Sequence, residues 1–478
     1  MQTFKEALDE HTPTKSVPTV SAVFKDGSIL ELLHDPEAHE TRFAFWHDGS
    51  WTCEDDHAVN GVFKLVPYSP DNNLIQNETV LLPKAPEEYG SEADLLAEIE
   101  TFIHRYVDVS PLYERLASYY VVFSWVYDGF NELPYLRVRG DPGTGKTRFL
   151  LTIGSLCYKP IFASGASTVS PLFRLLEIFR GTLVIDESDF RFSDEKAELV
   201  KILNNGNMRG FPVLRSETNS RGEFNPRAYQ VFGPKIVATR GDFDDKALES
   251  RFLSEEMGSS QLRDDIPISL PPEHKAEALA LRNKLLLFRF RNLKKHRALA
   301  QLVDRSVEPR LNQIFVPLLS IIEDPKAQEE IRAVARQCQR EMIAERGLSM
   351  EAQVLEVVED LLALNGDGPV RIKDVTERFI ELYGDAVQLE SRAGFSRHRY
   401  RANEWIQPGI LWLSNGLLQQ RLHSQFRDER LGACFHAHQS RFRIFDHWRH
   451  RDLPGGNIRR KRLRHGGLLA GQYSIDGT

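Results

Sequence analysis

Eight consecutive residues, 140–147, have the types and spacing of a loop that binds phosphate groups. The segment reads Gly-Asp-Pro-Gly-Thr-Gly-Lys-Thr, follows a strand-like run and opens a helical pattern. Its glycines let backbone N–H groups wrap phosphates, and the helix N-terminus adds positive potential. The lysine can reach the β- and γ-phosphates, and the last hydroxyl can bind Mg²⁺. We therefore predict nucleotide contacts from Gly140, Asp141, Pro142, Gly143, Thr144, Gly145, Lys146 and Thr147.

A second motif follows, in which the apolar run Thr-Leu-Val-Ile ends in Asp186 and Glu187. Carboxylates at the carboxyl end of a buried strand can lie beside a phosphate loop. There Asp186 would hold Mg²⁺ through water together with Thr147, and Glu187 would polarise the attacking water. The two motifs predict an enzyme that hydrolyses ATP with Mg²⁺, in which Lys146 and Glu187 are catalytic.

These motifs require a sheet whose strands end at a common edge, and the surrounding sequence has the pattern of one. Strand-like runs YLRVRG, PIFAS, TLVIDE and PKIVATR alternate with helical patterns. Such alternation predicts an α/β fold with a parallel sheet covered on both faces. The predicted P-loop core spans residues 134–260, and a helical lid with basic faces such as RFRNLKKHR spans residues 261–348.

Three further segments flank this core. Residues 1–90 predict a small β domain, in which the pairs Asp26-Gly27 and Asp48-Gly49 separate strand-like arms. Residues 91–133 predict a helical linker. Residues 349–478 begin with two amphipathic helices around GDGPVRI, which is typical of the first part of a winged helix, and end in a basic tail. We interpret the β domain as a structural or protein-docking module, with nucleic-acid binding through Trp46 and Trp51 as the alternative.

Composition and charge narrow the class of protein. The 478 residues are 41% hydrophobic and 27% charged, which excludes a disordered or fibrous chain. The net charge of −7 argues against a polyanion binder along the whole chain. The four cysteines are far apart and predict neither zinc nor disulfides. The N-terminus lacks signal-peptide features, and the longest near-apolar stretch is about half a membrane span, so we expect a cytoplasmic protein without membrane association.

The charge is concentrated at one end of the chain. From Ser391 onward, fifteen Arg and one Lys stand against six acids, a net charge of +10 that leaves −17 for the rest. After Leu389 lysine nearly vanishes and apolar periodicity is poor, so no recognition helix or wing is evident. A divergent basic tail and a late change of reading frame both explain this shift. The cationic run NIRRKRLRHGG favours phosphate contact and predicts DNA binding in the first case.

Over residues 134–321 the chain resembles the AAA+ class of P-loop ATPases, in particular the superfamily 3 helicase-like and primase-helicase-like ATPases of phages, plasmids and mobile elements. The resemblance implies roles for three further residues. Thr239, at the end of KIVATR, would sense the γ-phosphate. Arg251, in ALESRFL, would act as an arginine finger on the nucleotide of a neighbouring subunit, and Arg310, in EPRLNQIF, would contact nucleotide as a second sensor.

Between Asp186 and Thr239, the segment NMRGFPVLRSETNSRGEFNPRAYQVFG predicts a β-hairpin. In the helicase-like relatives this insertion points into the central pore of a ring. Phe224 or Tyr229 could stack on bases there. The alternative is a solvated hairpin, or one that pairs with acids of a neighbouring subunit. The arginines predicted to follow DNA phosphates are Arg209, Arg215, Arg221 and Arg227.

Taken with the motifs, the resemblance implies an ATP-hydrolysing motor that acts on DNA as a helicase or remodelling enzyme. It also implies a homo-oligomeric ring, for which we expect six subunits. Two alternatives stay open. One is a regulatory ATPase that remodels a protein partner bound by the β domain. The other is a nucleotide-dependent switch or assembly scaffold in defence or in the control of mobile elements, with slow hydrolysis.

Overall fold

The computed structural model describes residues 15–59, 63–165, 167–186, 194–216, 224–243, 245–258, 262–347, 350–365 and 372–392. These residues fall into two compact units that divide after Ala352, and each is described by itself. The predicted basic tail beyond residue 392 lies outside the described residues.

Seven short strands form two small sheets in the N-terminal region. They are β1 (Lys15–Thr19), β2 (Ser21–Val23), β3 (Ile29–Asp35), β4 (Glu40–His47), β5 (Ser50–Glu54), β6 (His57–Val59) and β7 (Phe63–Pro67). One sheet has the order β2-β3-β4-β5 and is antiparallel, and the other has the order β1-β7-β6. Gly27 and Gly49, with φ of +85° and +82°, supply the left-handed backbone for two turns. Both predicted Asp-Gly turns are thereby confirmed.

Three helices lead from these sheets to the core: α1 (Asn73–Gln76), α2 (Glu92–Tyr106) and α3 (Pro111–Ser124), followed by a 3₁₀ turn at Tyr127–Gly129. Helix α2 begins with a capping box, because the Ser91 hydroxyl accepts from Asp94 N and the Asp94 carboxylate accepts from Ser91 N. These bonds fix where the helix begins.

The core elements follow in chain order: β8 (Tyr135–Arg139), α4 (Lys146–Leu156), β9 (Ile161–Ser164), α5 (Val169–Phe179), β10 (Leu183–Asp186), α6 (Asp194–Asn205), β11 (Val213–Arg215), β12 (Arg227–Tyr229), β13 (Lys235–Thr239), α7 (Lys246–Glu249) and β14 (Phe252–Glu256). Five of the strands form a parallel sheet in the order β14-β8-β13-β10-β9, which confirms the predicted α/β arrangement. Strands β11 and β12 form the predicted hairpin. All five residues of β13 are buried, as a central strand covered on both faces requires.

Because the five strands are parallel, the sheet has two chemically different edges. We call the side where the strands end, at Arg139, Asp186 and Thr239, the carboxyl edge. We call the side where they begin, at Tyr135 and Phe252, the amino edge. A strand of five residues separates the edges by about 16 Å.

The remaining described helices are α8 (Glu273–Asn292), a 3₁₀ turn at Ala300–Leu302, α9 (Pro309–Leu319), α10 (Pro325–Gly347), α11 (Met350–Asn365) and α12 (Ile372–Arg392). In the second unit, α11 and α12 pack through Val357, Val375 and Phe379. None of the helices in the described part of the chain is long and apolar enough to cross a membrane.

Helix α8 is largely buried from Leu281 to Asn292, and this part includes Arg289 of the basic segment RFRNLKKHR. The Arg289 side chain is 1% exposed and its guanidinium binds Glu31 Oε1 at 2.8 Å and Asp128 Oδ2 at 2.7 Å. Glu31 Oε2 also lies 2.7 Å from Lys159 Nζ. Glu31, Asp128, Lys159 and Arg289 therefore form a buried charge network. Because its acids neutralise Arg289, the basic composition of this segment does not make the helix a surface element.

Candidate functional site

Residues 140–147 form the loop between β8 and α4 and lie at the carboxyl edge. Gly143 and Gly145 have φ of +87° and +95°, a left-handed backbone that residues with a side chain rarely adopt. A Cβ added at Gly140 would lie 2.6 Å from the Met257 carbonyl oxygen, whereas one at Gly143 would meet open space. Glycine is thus required at 140 by close packing and at 143 and 145 by conformation.

The Lys146 side chain folds back over this loop. Its Nζ donates to the carbonyl oxygens of Gly140 at 2.6 Å and Asp141 at 2.8 Å. These two acceptors carry only partial charge, so they orient the ammonium without neutralising it. Phosphate oxygens that entered the loop could replace both carbonyls as acceptors.

Thr147 and Asp186 meet at the carboxyl edge although 39 positions separate them. The Thr147 hydroxyl donates to Asp186 Oδ2 at 2.6 Å. Thr147 lies in the first turn of α4 and Asp186 is the last residue of β10, so the parallel sheet brings them together. Hydroxyl and carboxylate oxygens are the ligands that Mg²⁺ prefers in proteins. The donors of this predicted metal pair therefore fit Mg²⁺.

Thr239 ends β13, the strand between β8 and β10. The residue is 3% exposed, and its Oγ1 is buried without a hydrogen-bond partner among the described residues. An unpaired buried hydroxyl costs about 1–3 kcal/mol, so a bound group that accepts from it would relieve that cost. Thr239 thus lies at the carboxyl edge, and its contact with the terminal phosphate stays a prediction.

Glu187 is the residue after the end of β10 and lies outside the described residues. Its proposed action on water therefore stays a prediction.

Two arginines of β8 connect the loop strand to the segment after β13. Arg139, directly before Gly140, contacts Asp242. Arg137 is 1% exposed and binds both carboxylate oxygens of Glu249, with Nη1 to Oε2 at 2.7 Å. Sequence reasoning missed these pairs because the acids lie more than a hundred positions away. The signal that could have found them is the pair of arginines inside the otherwise apolar run YLRVR, since buried charges need partners.

Arg251 directly precedes β14 and lies at the amino edge. Its Nε donates to Asn207 Oδ1 at 2.9 Å and its Nη1 to the Ala247 carbonyl oxygen at 2.8 Å, and Nη1 also contacts Asn204 Oδ1. Burial, together with the charge of Arg310, lowers the pKa of the Arg251 guanidinium. Arg251 is thus at the opposite edge of the sheet from residues 140–147 of its own chain.

Arg310, predicted as a second contact to nucleotide, does not lie beside residues 140–147. Its Nε donates to Ser250 Oγ at 2.9 Å and its Nη2 to the Ala247 carbonyl oxygen at 2.6 Å. Both acceptors lie just before β14, at the amino edge. The packing of α9 therefore carries Arg310 to the same side of the sheet as Arg251, away from residues 140–147.

Of the four arginines predicted to follow DNA phosphates, two are held by contacts within the chain. Arg209 donates to the carbonyl oxygens of Phe130 at 2.8 Å and Asp128 at 2.7 Å. Arg215 binds both carboxylate oxygens of Glu198, at 2.9 and 3.0 Å. A count of arginines cannot distinguish such engaged side chains from solvated ones.

The outer part of the hairpin has different properties. The Arg227 side chain is 56% exposed, with Glu177 Oε1 at 3.7 Å. Phe224 is 73% exposed, whereas Tyr229 is 2% exposed and so cannot stack on a base. Arg221 lies outside the described residues. Among the described residues that were predicted to contact DNA, Phe224 and Arg227 are therefore the ones exposed enough to bind a ligand.

Comparison with known proteins gives distant similarities only. No family model and no curated protein matches the chain. Among solved structures, an apo form of the NrS-1 C-terminal region is 12% identical, with a TM-score of 0.30, over 74% of this chain and 88% of that chain. JCV helicase is 11% identical, with a TM-score of 0.22, over 52% of this chain and 61% of that chain. These similarities are too distant to carry an argument, so any proposal depends on the geometry of the site.

Proposed function

We propose that this chain binds ATP with Mg²⁺, hydrolyses it, and is an AAA+ ATPase of the superfamily 3 helicase-like type that acts on DNA. The observation that carries the ATPase part is the contact between Thr147 and Asp186, which unites the two sequence motifs at the carboxyl edge. A phosphate loop without a carboxylate beside it would have no such metal ligands.

In this proposal, N–H groups of residues 140–147 bind the phosphates, and Lys146 exchanges its loop carbonyls for β- and γ-phosphate oxygens. Thr147 and, through water, Asp186 would hold the Mg²⁺. When bound, Mg²⁺ supplies positive charge that offsets the negative charge of the phosphate oxygens. Glu187 orients and polarises the water that attacks the γ-phosphorus, and the Thr239 hydroxyl donates to the γ-phosphate.

Arg251 completes the site from a neighbouring subunit. An arginine stabilises the charge that spreads over the phosphoryl group as the bond to ADP breaks. The position of Arg251 at the amino edge supports this role, because its own loop is at the other edge. The proposal therefore includes a homo-oligomeric ring, expected to be a hexamer. It also keeps the cytoplasmic location that we expect from the sequence.

The DNA part of the proposal is supported by the hairpin formed by β11 and β12. Phe224 offers an exposed aromatic ring and Arg227 an exposed guanidinium. Stacking and phosphate contacts of this kind bind single strands with little sequence preference. The winged-helix-like region and the basic tail would add phosphate contacts.

A second candidate function, remodelling of a protein partner, is favoured by the apolar surface of the same hairpin. Phe211, Leu214 and Phe224 are 58%, 66% and 73% exposed. Arg209 and Arg215 are meanwhile engaged within the chain. Exposed apolar surface is typical of contacts with other proteins.

Steady-state ATPase rates distinguish the DNA proposal from the protein-partner proposal. The rates are measured with and without single-stranded DNA, double-stranded DNA and RNA, at two salt concentrations. Glu187→Gln serves as the blank. On the DNA proposal a nucleic acid stimulates hydrolysis, and stimulation falls with salt because phosphate contacts release counterions. A double change, Phe224→Ser with Arg227→Ala, should abolish stimulation and keep basal hydrolysis, whereas the exposed control Arg305→Ala should change neither. Hydrolysis indifferent to every nucleic acid would favour the protein partner, and no hydrolysis in the wild type would refute the ATPase proposal.

A further inference from the structure

Two arginines from distant parts of the chain converge on one carbonyl oxygen at the amino edge. Arg251 Nη1 and Arg310 Nη2 both donate to the oxygen of Ala247, at 2.8 and 2.6 Å. The Ser250 hydroxyl donates to the same oxygen at 3.0 Å and accepts from Arg310 Nε at 2.9 Å. The two guanidinium groups are therefore neighbours in space, and one backbone group orients both.

The turn that carries this carbonyl is firmly held. Asp245 caps α7, because its carboxylate accepts from Ala247 N at 2.9 Å and Leu248 N at 3.3 Å. Asn204 Nδ2 donates to the same carboxylate at 2.7 Å. The next residues are fixed through Glu249, which binds the buried Arg137. Both arginines are thus attached to a prearranged turn, so little ordering is needed before a ligand binds.

The charge at this place is only partly balanced, because the Asp245 carboxylate acts on Arg251 from beyond ion-pair distance. Neither Arg251 nor Arg310 has an ion pair with a carboxylate in the described part of the chain, and Arg251 Nη2 and Arg310 Nη1 donate to none of the described residues. Each charge disfavours the other, and the lowered pKa of Arg251 reflects both burial and this repulsion. An anion between the two groups would relieve the repulsion and use the vacant donors.

The anion cannot be the nucleotide of the same chain. Arg251 precedes β14, which pairs in parallel with β8 so that Phe252 lies opposite Tyr135. The phosphate loop begins five residues further along β8, about 16 Å away at a strand rise of about 3.3 Å per residue. An arginine side chain does not span that distance, and both side chains are already directed to Ala247.

We propose that Arg251 and Arg310 together form a two-guanidinium site for the terminal phosphates of a nucleotide held in the phosphate loop of a second copy of this chain. This inference depends on the proposed ATPase function and extends it. The nucleotide contact predicted for Arg310 is thereby assigned to the nucleotide of a neighbouring chain. The two planar groups present parallel N–H donors, which match phosphate oxygens.

The first test measures ATP binding by dispersed subunits. A fluorescent, non-hydrolysable ATP analogue is titrated at a protein concentration at which sedimentation shows monomers. We expect Arg310→Ala to keep the wild-type Kd, as the exposed control Arg305→Ala does. An increase of tenfold or more with Arg310→Ala alone would overturn the inference, because it would place Arg310 at the nucleotide of its own chain.

The second test mixes inactive subunits under assembly conditions. We expect Arg310→Ala to lower kcat roughly 10- to 100-fold, the loss of charge-assisted hydrogen bonds. Mixing it with Lys146→Ala should restore activity, because some interfaces then pair an intact loop with intact arginines. A double variant that carries both changes, mixed with Lys146→Ala, should restore none. Absence of rescue in the first mixture, with assembly intact by sedimentation, would overturn the inference.

Two controls separate the possible failures. If wild-type protein neither binds the analogue nor hydrolyses ATP, the proposed function itself fails. If Arg251→Ala is rescued by Lys146→Ala but Arg310→Ala is not, the ATPase proposal stands and the two-guanidinium site is refuted.

Arg310→Ala could also act by loosening α9, so Arg310→Lys is compared. If the thermal midpoint and the assembly are normal in Arg310→Lys while kcat falls, the site is supported; if kcat is normal, the two-pronged contact is refuted.

Discussion

At the carboxyl edge of the five-stranded sheet, backbone N–H groups, one lysine and one carboxylate share a small space. At the amino edge, two arginines share a carbonyl and have no carboxylate partner among the described residues. The first set has both signs of charge and can hold a metal and an anion by itself. The second set has two positive charges against the more distant Asp245, and it can receive an anion brought from outside. The difference suggests that one chain carries two complementary halves of a site that closes when copies meet.

The largest expected effect tests the amino edge. Arg251→Ala should lower kcat by roughly 10³-fold or more, because an arginine that stabilises the transferred phosphoryl contributes on that scale. The Kd for ATP in dispersed subunits should stay unchanged. Single-turnover kinetics and analogue titration measure the two quantities, with Arg305→Ala as the exposed control. A weaker Kd with normal kcat would reverse the assignment of the two edges.

The carboxyl edge is tested by a change that should weaken ATP binding, whereas Arg251→Ala should leave binding unchanged. Lys146→Ala should raise the Kd for ATP by roughly 100-fold, since charge-assisted hydrogen bonds to phosphate are each worth about 1.5–3 kcal/mol. Glu187→Gln should bind ATP as the wild type does and fail to hydrolyse it. Equal loss of binding in both variants would argue against a role for Glu187 in the chemical step.

Thr239→Val separates a functional hydroxyl from a structural one. Valine has nearly the same shape and removes the unpaired buried Oγ1, so the thermal midpoint should stay level or rise. If the hydroxyl donates to the terminal phosphate, kcat should fall by roughly tenfold, the value of one such bond. Calorimetry and steady-state rates provide both numbers. A lower midpoint with an unchanged rate would assign Thr239 to packing alone.

The smallest expected effect concerns the pH dependence of stability at a histidine whose ring packs against Phe102 and Tyr106 of α2. His274 on α8 is 6% exposed, and burial, aided by the charges of Arg282, Arg148 and Lys275, lowers its pKa to about 4. The folded state therefore favours neutral imidazole. Its contribution to stability is complete above about pH 6.5 and declines as the pH falls towards 4. Denaturant unfolding at pH 7 and pH 5 should show a smaller decline for His274→Phe; equal declines would exclude His274 as the cause.

The loop of residues 140–147 could be predicted most directly, because these residues fold locally and its glycines at 143 and 145 follow from the backbone conformation. The alternation of strands and helices likewise predicts the parallel sheet. Asp186 could be placed because buried parallel strands share an edge.

The side-chain contacts at the amino edge could not be predicted from the sequence in this way. Arg310 contacts Ala247, 63 positions earlier, and only the packing of α9 decides that contact. Arg209 and Arg215 are typical of a DNA-binding hairpin, yet two carbonyl oxygens and a carboxylate inside the chain bind them. Sequence patterns report the charge of a side chain, whereas its partners depend on contacts that are distant along the chain.

The buried charge network has a consequence for how this architecture can be inherited. Glu31, on β3 of the N-terminal sheet, is 1% exposed and contacts both Lys159 and Arg289. Removing one partner of a buried ion pair costs about 3–5 kcal/mol, a large part of a typical domain's total stability. Recombination that exchanged the N-terminal sheet for an unrelated module would leave Lys159 without its acid. The two regions are therefore expected to evolve as a single heritable block, with Glu31 changing only when its basic partners change as well.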